Sequence, residues 1–92
     1  MTPQDIELVE WDAWNLVHCA QHGLSQSDVA DVLRSPLTVQ TNRQRPDRHK
    51  IVGYNRGGQV LTVVGSYDVR RRAFRPITGW TATTQERLRA GL

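Results

Sequence analysis

The stretch that decides the fold runs from Arg48 to Trp80 and reads RHKIVGYNRGGQVLTVVGSYDVRRRAFRPITGW. It contains three runs of β-branched and aromatic residues, each bounded by turn-forming residues, and this is the pattern of neighbouring β-strands. We predict strands at Arg48–Tyr54, Gln59–Tyr67 and Ala73–Trp80. The turn Arg56-Gly57-Gly58 is a strong hairpin signal. The sequence therefore predicts an antiparallel sheet.

Two helices are predicted upstream of these strands. The first runs from about Asp12 to His22, because Gly23 is a favourable residue just past a helix C-terminus. The second begins at the Ser25-x-x-Asp28 spacing, which has the form of a helix start, and ends near Arg34–Pro36.

The remaining elements complete the predicted order ααββββα. Another strand is expected at Leu37–Thr41, and residues 6–9 suggest a short extended piece. A last short helix follows Thr83. We therefore predict an α+β fold in which two N-terminal helices pack on an antiparallel sheet of about four strands, with a short C-terminal helix, all in a single domain over residues 1–92.

The first predicted helix carries two histidines, His18 and His22, which are four residues apart and project from the same side. At 100° per residue they lie with Asn15 opposite an apolar stripe, formed by Ala13, Leu16, Val17 and Ala20. The pair could bind a metal, act in acid–base chemistry, contact a substrate or partner, or be passively exposed. A zinc site needs at least three ligands, and nothing nearby completes one, so we predict no metal and no cofactor.

Charge is unevenly distributed along the chain, although the net charge of the 92 residues is only +3. The first 31 residues carry six acids and no lysine or arginine, whereas the other 61 carry twelve bases and three acids. The two parts therefore have charges of −6 and +9. A strongly basic part indicates a nucleic-acid backbone or an acidic protein partner.

One basic cluster leads into the strand at Arg48–Tyr54; it comprises Arg43, Arg45, Arg48, His49 and Lys50. Because alternate residues of a strand share a face, Arg48 and Lys50 point together and His49 points the other way. The cluster is either a phosphate-binding surface or a solvated edge strand, where basic residues discourage aggregation.

A second group of arginines surrounds the last strand. Arg70, Arg71 and Arg72 fall in a predicted turn, where most of them are solvated. Arg75 lies within the strand and shares a face with Ile77 and Gly79, which favours a held, functional guanidinium. Farther on, Glu86 has the capping-box spacing to Thr83, so it either caps the helix or takes part in chemistry. Trp80, Trp14 and Phe74 are either core residues or base-stacking surfaces.

No apolar run approaches the ~18–20 residues that span a bilayer, and no secretion signal is evident. The single cysteine, Cys19, cannot form an internal disulfide. Together these features predict a cytoplasmic protein without membrane contact.

Several short motifs together resemble the BrnT family of toxins. The helix end His22-Gly23-Leu24-Ser25 is similar to that family's "HGV-S/F" element. Residues 75–83, followed by Glu86-Arg87, are similar to its C-terminal "R-I-I-S-A-R-x-A-T…E-R" signature. Arg48, Gly53, Gly58 and the strand 61–64 fall where the family has an arginine, a strand glycine, a hairpin turn and an apolar strand. The likeness spans roughly residues 11–88.

The resemblance implies a fold similar to RelE-type toxins, cleavage of RNA without a metal, and a neutralising antitoxin encoded nearby. Such cleavage must deprotonate the 2′-hydroxyl, stabilise charge on phosphorus and protonate the leaving oxygen. We predict these catalytic residues: His18 or His22 for proton transfer, Arg48 and Arg75 for the phosphate, and Glu86 as orienter or base. We predict that RNA is also contacted by Arg43, Arg45, Lys50, Arg72 and Trp80.

Two departures from the family pattern bear on this prediction. Trp80 stands where the second arginine of the signature is expected, and His18 stands where an asparagine is expected. Two other functions fit the same residues, namely a non-catalytic nucleic-acid-binding module and a protein-interaction domain whose arginines pair with an acidic partner.

Overall fold

The computed structural model describes residues 5–92 and contains three helices and five strands over that range. In chain order they are β1 (Leu8–Val9), α1 (Ala13–Gln21), α2 (Gln26–Arg34), β2 (Pro36–Thr41), β3 (Arg48–Tyr54), β4 (Val60–Asp68), β5 (Ala73–Thr81) and α3 (Thr84–Arg89). Over the same residues, every helix is too short or too polar to cross a membrane.

The strands form one mixed sheet in the order β1-β5-β4-β3-β2. From β2 to β5, each strand pairs antiparallel with the next strand along the chain, as predicted. The prediction of about four antiparallel strands missed β1, which pairs parallel to β5 through Leu8 with Ala73 and Val9 with Phe74. A two-residue strand is too short to show an alternating pattern, so only an extended piece was predictable there.

The core lies between the two N-terminal helices and one face of the sheet, called here the helix-covered face, which carries Ile51, Leu61, Val63, Tyr67 and Phe74. Helix α2 contributes Val29, Val32 and Leu33, all buried. This stripe has the period of an amphipathic helix. Burying one such side chain contributes about 1.5–3 kcal/mol, so this layer supplies most of the stabilising apolar contact.

Helix α1 packs in the opposite sense to that suggested by its apolar stripe. Asn15 and Cys19 are its buried residues, whereas Leu16 and Val17 are 41% and 55% exposed. The reason is a hydrogen-bonding requirement at the edge of the sheet. The Asn15 Nδ2 group donates to the Glu10 carbonyl at 3.0 Å and to the Pro76 carbonyl at 2.8 Å. A buried carbonyl left unpaired costs about 1–3 kcal/mol, so the amide turns inward.

A β-bulge in β5 changes which of its residues share a face. Gly65 pairs with Pro76 and Val64 pairs with Thr78, so Ile77 has no cross-strand partner. The extra residue breaks the alternation. Gly79 consequently lies on the helix-covered face, where an added Cβ would be 2.6 Å from Leu24. The prediction that Arg75 shares a face with Gly79 was therefore wrong.

Candidate nucleic-acid interface

The sheet face opposite the two N-terminal helices is called here the open face. Cross-strand neighbours share a face, and the pairing brings its residues into three rows. Arg48, Ser66 and Arg75 form one row, Lys50, Val64 and Thr78 the next, and Val52, Thr62 and Trp80 the third. Five predicted site residues are thus brought to this face or above it: Arg48, Lys50, Arg75, Trp80 and Glu86.

Glu86 reaches the open face from the first turn of α3. Thr83 is the N-cap and Glu86 completes the capping box, as the spacing predicted. In that capping box the Thr83 backbone N–H donates to Glu86 Oε1 at 2.8 Å. The same oxygen also accepts hydrogen bonds from Thr62 Oγ1 and Trp80 Nε1, both at 3.0 Å. Its Oε2 atom lies 2.6 Å from Lys50 Nζ. This carboxylate, only 6% exposed, therefore connects α3 to strands β3, β4 and β5.

These contacts decide the protonation state of Glu86. Burial raises its pKa, but hydrogen bonds from Lys50, the Thr83 backbone, Trp80 and Thr62 outweigh burial and lower the pKa to about 2. The carboxylate is therefore ionised at neutral pH, and both its oxygens are already bonded. A group with so low a pKa is a weak proton acceptor. The geometry fits an orienting group that holds Lys50 and Trp80.

Two cavities open on this face, and Lys50 lines both of them. The first, of about 250 Å³, is also lined by Gln40, Asn42 and Arg48. The second, of about 380 Å³, lies between Lys50 and Trp80 and extends to Thr83, Gln85, Glu86 and Arg89. The Nε atom of Arg48 is buried and has no hydrogen-bond partner within residues 5–92. A buried donor of this kind calls for a water or a ligand acceptor.

The loop between β2 and β3 carries Arg43 and Arg45 beside the first cavity. Asn42 shapes this loop, since its Oδ1 atom accepts from the backbone N–H groups of Gln44 and Arg45 at 2.9 and 3.0 Å. Both arginines are exposed. Their positions extend the basic surface away from Arg48.

The arginines fall into two groups by ion pairing. On the side of α1 and β1, Arg71 pairs with Glu10 and Arg72 with Glu7, each at 2.7 Å. Arg34 and Arg56 lie within ion-pair distance of Asp31, and Arg75 lies within that distance of Asp12. Within residues 5–92, no carboxylate lies within ion-pair distance of the remaining arginines, which are Arg43, Arg45, Arg48, Arg70, Arg87 and Arg89. Much of the charge separation along the sequence is thus neutralised by ion pairs in the folded protein, and two of the arginines unpaired in that range, Arg48 and Arg89, line the cavities of the open face.

Arg75 and Arg72, two predicted site residues, have their guanidinium groups in ion pairs. Arg75 Nη2 donates to Asp12 Oδ2 at 2.7 Å, and the group lies 5.7 Å above the Trp14 ring. The backbone of Arg75 belongs to the open face, but its guanidinium is drawn to the start of α1. Arg72 lies in the β4–β5 turn.

Two of the three histidines belong to the α1 segment, and the third, His49, precedes Lys50 in β3 and lines the first cavity with it. On α1, His18 stacks on Trp14 with ring centroids 4.8 Å apart, and the ring of His22, the C-cap residue of α1, lies 4.9 Å from that of His18. His49 is buried on the helix-covered face beside Tyr67, as the alternation of β3 predicted. Burial lowers the pKa of His49, which favours its neutral form. Within the described range, no three His, Cys, Asp or Glu side chains are grouped as a metal site.

Sequence reasoning missed two residues that organise this architecture. Thr62 anchors Glu86 from the middle of β4, and nothing in an apolar run marks one threonine as a partner of a later helix. Asn15 caps the sheet edge at Pro76. Its signal was available, because an Asp12-x-x-Asn15 spacing at a helix start resembles a capping box, and the structure contains that box.

The fold and this face define a class of protein: a small α+β protein whose sheet is covered by helices on one side and leaves a cationic surface on the other. No known family profile matches the chain, and the curated sequences contain no significant match. Among solved structures, the chain is similar to the Brucella abortus ribonuclease toxin BrnT, known from a crystal structure at 1.1 Å resolution. The TM-score is 0.59 and the identity 22%, over 84% of this chain and 95% of that one. The fold is therefore BrnT-like, as the sequence resemblance predicted.

Proposed function

We propose that this protein is the toxin of a bacterial type II toxin–antitoxin pair, acting in the cytoplasm as a metal-independent endoribonuclease. The observation that carries this proposal is that two arginines unpaired within residues 5–92, Arg48 and Arg89, line the cavities of the open face beside a lysine held by a buried carboxylate. An RNA backbone is the polymer that such a surface fits. The BrnT-like fold supports the same function, because the similar protein is a ribonuclease toxin.

Three residues at the open face, together with two histidines of the α1 segment, have a proposed part in cleavage. Arg48 and Lys50 stabilise the charge that develops on the phosphorane, since both line a cavity and Lys50 is held in place by Glu86. Glu86 orients Lys50 and does not accept the proton. We retain His18 and His22 as candidates for proton transfer, because an imidazole ring can both accept and donate a proton.

The function is tested by incubating the purified protein with single-stranded RNA in the presence of excess EDTA. We expect cleavage that leaves a 2′,3′-cyclic phosphate and a 5′-hydroxyl, the products of attack by the 2′-oxygen. RNA in which the 2′-hydroxyls are replaced by hydrogen should remain intact. Cleavage that EDTA abolishes would contradict metal independence.

We further propose that an antitoxin encoded beside this gene covers the open face with acidic side chains. Attraction between exposed charges weakens as salt screens it. Co-expression of the antitoxin should relieve toxicity, and the affinity of the complex should fall between 50 and 500 mM salt, on the order of tenfold or more. Salt-insensitive binding would instead assign the interface to apolar residues such as Leu16 and Val17, which are exposed on α1.

A non-catalytic RNA-binding module is the second candidate. One observation favours it: the ring contacts of His18 and His22 are made on α1, with Trp14 and with each other, and not with the Lys50–Glu86 pair. Under this alternative the protein binds RNA in EDTA and leaves it intact.

A further inference from the structure

We infer that the cavity between Trp80 and Lys50 is a nucleotide subsite, in which one unpaired base of single-stranded RNA stacks on the Trp80 indole while its phosphate is held by Lys50. The inference deepens the proposed function and rests on it for the choice of polymer. Trp80 stands where the BrnT family has an arginine, and the inference gives it a stacking role. Lys50 then supplies the positive charge that the family arginine would have supplied.

The first support is the way Glu86 fixes the indole. The Trp80 Nε1 atom lies in the plane of its ring and donates to Glu86 Oε1 at 3.0 Å. That hydrogen bond restrains rotation of the ring without covering its faces. Trp80 lines the 380 Å³ cavity. Aromatic faces of this kind stack on nucleobases of any sequence.

The second support is the spare hydrogen-bonding capacity of Lys50. An ammonium group has three donors, and Glu86 Oε2 takes one at 2.6 Å. The lysine side chain is 35% exposed, whereas that of Glu86 is only 7% exposed. A phosphate therefore approaches the ammonium from the solvent side, with the carboxylate behind it.

The third support is the arrangement of the two cavities. Lys50 lines both, so it stands at their junction. Arg48 lines the 250 Å³ cavity and Arg89 the 380 Å³ one. A strand whose base enters the Trp80 cavity can thus place one phosphate at Lys50 and the next beside Arg48 or Arg89. A base can enter only if it is splayed out of a helix, so the subsite selects single strands over duplexes.

The test measures binding, so that it does not depend on cleavage. The ligand is a short, fluorescently labelled single-stranded RNA with 2′-O-methyl groups, and the readout is its anisotropy. We expect Trp80→Leu, which keeps apolar bulk without an aromatic face, to weaken binding roughly 5- to 100-fold. Trp80→Phe keeps a stacking face and should bind within about threefold of wild type. Leu16→Ala, which removes a partly exposed apolar side chain from α1, is the control and should bind as wild type.

An abasic oligonucleotide completes a cycle with Trp80→Leu. Removing the bases should weaken binding to wild type by a factor similar to that of the substitution, and should weaken binding to Trp80→Leu little further. Equal binding by Trp80→Leu and Trp80→Phe would overturn the inference, and so would equal affinity for single strands and duplexes. If Trp80→Leu does not fold properly, the NMR resonance of the wild-type Trp80 indole N–H provides the test. The inference requires this resonance to shift when the oligonucleotide is added. If binding depends on the aromatic ring but unmodified RNA is not cleaved, the subsite is upheld and the proposed ribonuclease activity is overturned.

Discussion

Arginine side chains on two sides of the molecule have different surroundings. Beside α1 and β1, Arg71, Arg72 and Arg75 each contact an acid from the N-terminal segment. Around the open face, Arg48 and Arg89 have no such partner within residues 5–92. The difference teaches that a count of arginines does not locate a binding surface. The location follows from which arginines the fold leaves unneutralised.

The largest expected effect follows from replacing Lys50, the cation of the open face that Glu86 holds. Lys50→Met should slow RNA cleavage roughly 100- to 1,000-fold, since removing one fixed transition-state donor costs about 2.7–4 kcal/mol. Lys50→Arg should recover part of the rate. Arg71→Ala, from the paired side, is the control and should cleave within about twofold of wild type.

Loss of the fold must be separated from loss of Lys50 chemistry. Lys50→Met leaves the buried Glu86 carboxylate without its cation, so the double variant with Glu86→Gln should unfold at a higher temperature than Lys50→Met alone. A folded Lys50→Met protein with the wild-type rate would show that the open face is not where cleavage occurs.

The next effect concerns stability and pH. The pKa of Glu86 is lowered to about 2 from an ordinary value of 4.5. A lowered carboxyl pKa stabilises the fold above pH 4.5, and this contribution is lost as the pH falls from 4.5 toward 2. Glu86→Gln should therefore lower the free energy of unfolding by roughly 2–3 kcal/mol at pH 7. Denaturant titrations should show the difference from wild type shrinking through that window, and a constant difference would contradict the assignment.

A smaller effect distinguishes the two sides through salt. Arg48→Ala should reduce the slope of log affinity against log salt for single-stranded RNA by about 1, as expected on losing one phosphate contact. Arg71→Ala should leave that slope unchanged. Equal slopes for both variants would mean that the unpaired guanidinium of Arg48 does not meet a phosphate.

The smallest expected effect comes from releasing Arg75 from its ion pair, so that it joins the arginines left unpaired within residues 5–92. Asp12→Asn keeps the side-chain oxygen that accepts from the Asn15 backbone at 2.9 Å, but it weakens the ion pair with Arg75. The freed guanidinium lies beside the row that contains Arg48, so affinity for single-stranded RNA should rise about two- to threefold. No change in affinity, with α1 intact by circular dichroism, would assign Arg75 a purely structural role.

The elements that the sequence predicted well are those with local signals. The capping boxes at Ser25 and Thr83 and the hairpin turn at Gly58 each depend on residues within a few positions of one another. The extra strand β1 was not predictable, because its two residues gain their partners only from β5, some 65 residues later. The bulge at Ile77 was equally hidden, and it moved Gly79 to the other face.

Which predicted site residues share a face was easier to predict than which of them are in contact. Arg48 and Lys50 were placed on one face by simple alternation, and the register bears this out. The contact between Lys50 and Glu86 spans β3 and α3, so no spacing rule could give it. Glu86 itself was considered as a base, and only its four hydrogen-bonding partners reveal why its pKa is low.

The hydrogen bond between Asn15 and Pro76 has a consequence for the order in which the chain folds. The two residues are 61 positions apart, and closing so long a loop carries an entropic cost that must be met before the contact contributes. The hairpins of β2 to β5 close far shorter loops, so they can assemble first. During synthesis α1 is made before β5, so Asn15 can dock only after the 61 residues up to Pro76 have followed it. Until then the side of α1 that carries Asn15 and Cys19 has no partner, whereas its apolar stripe is exposed both before and after docking.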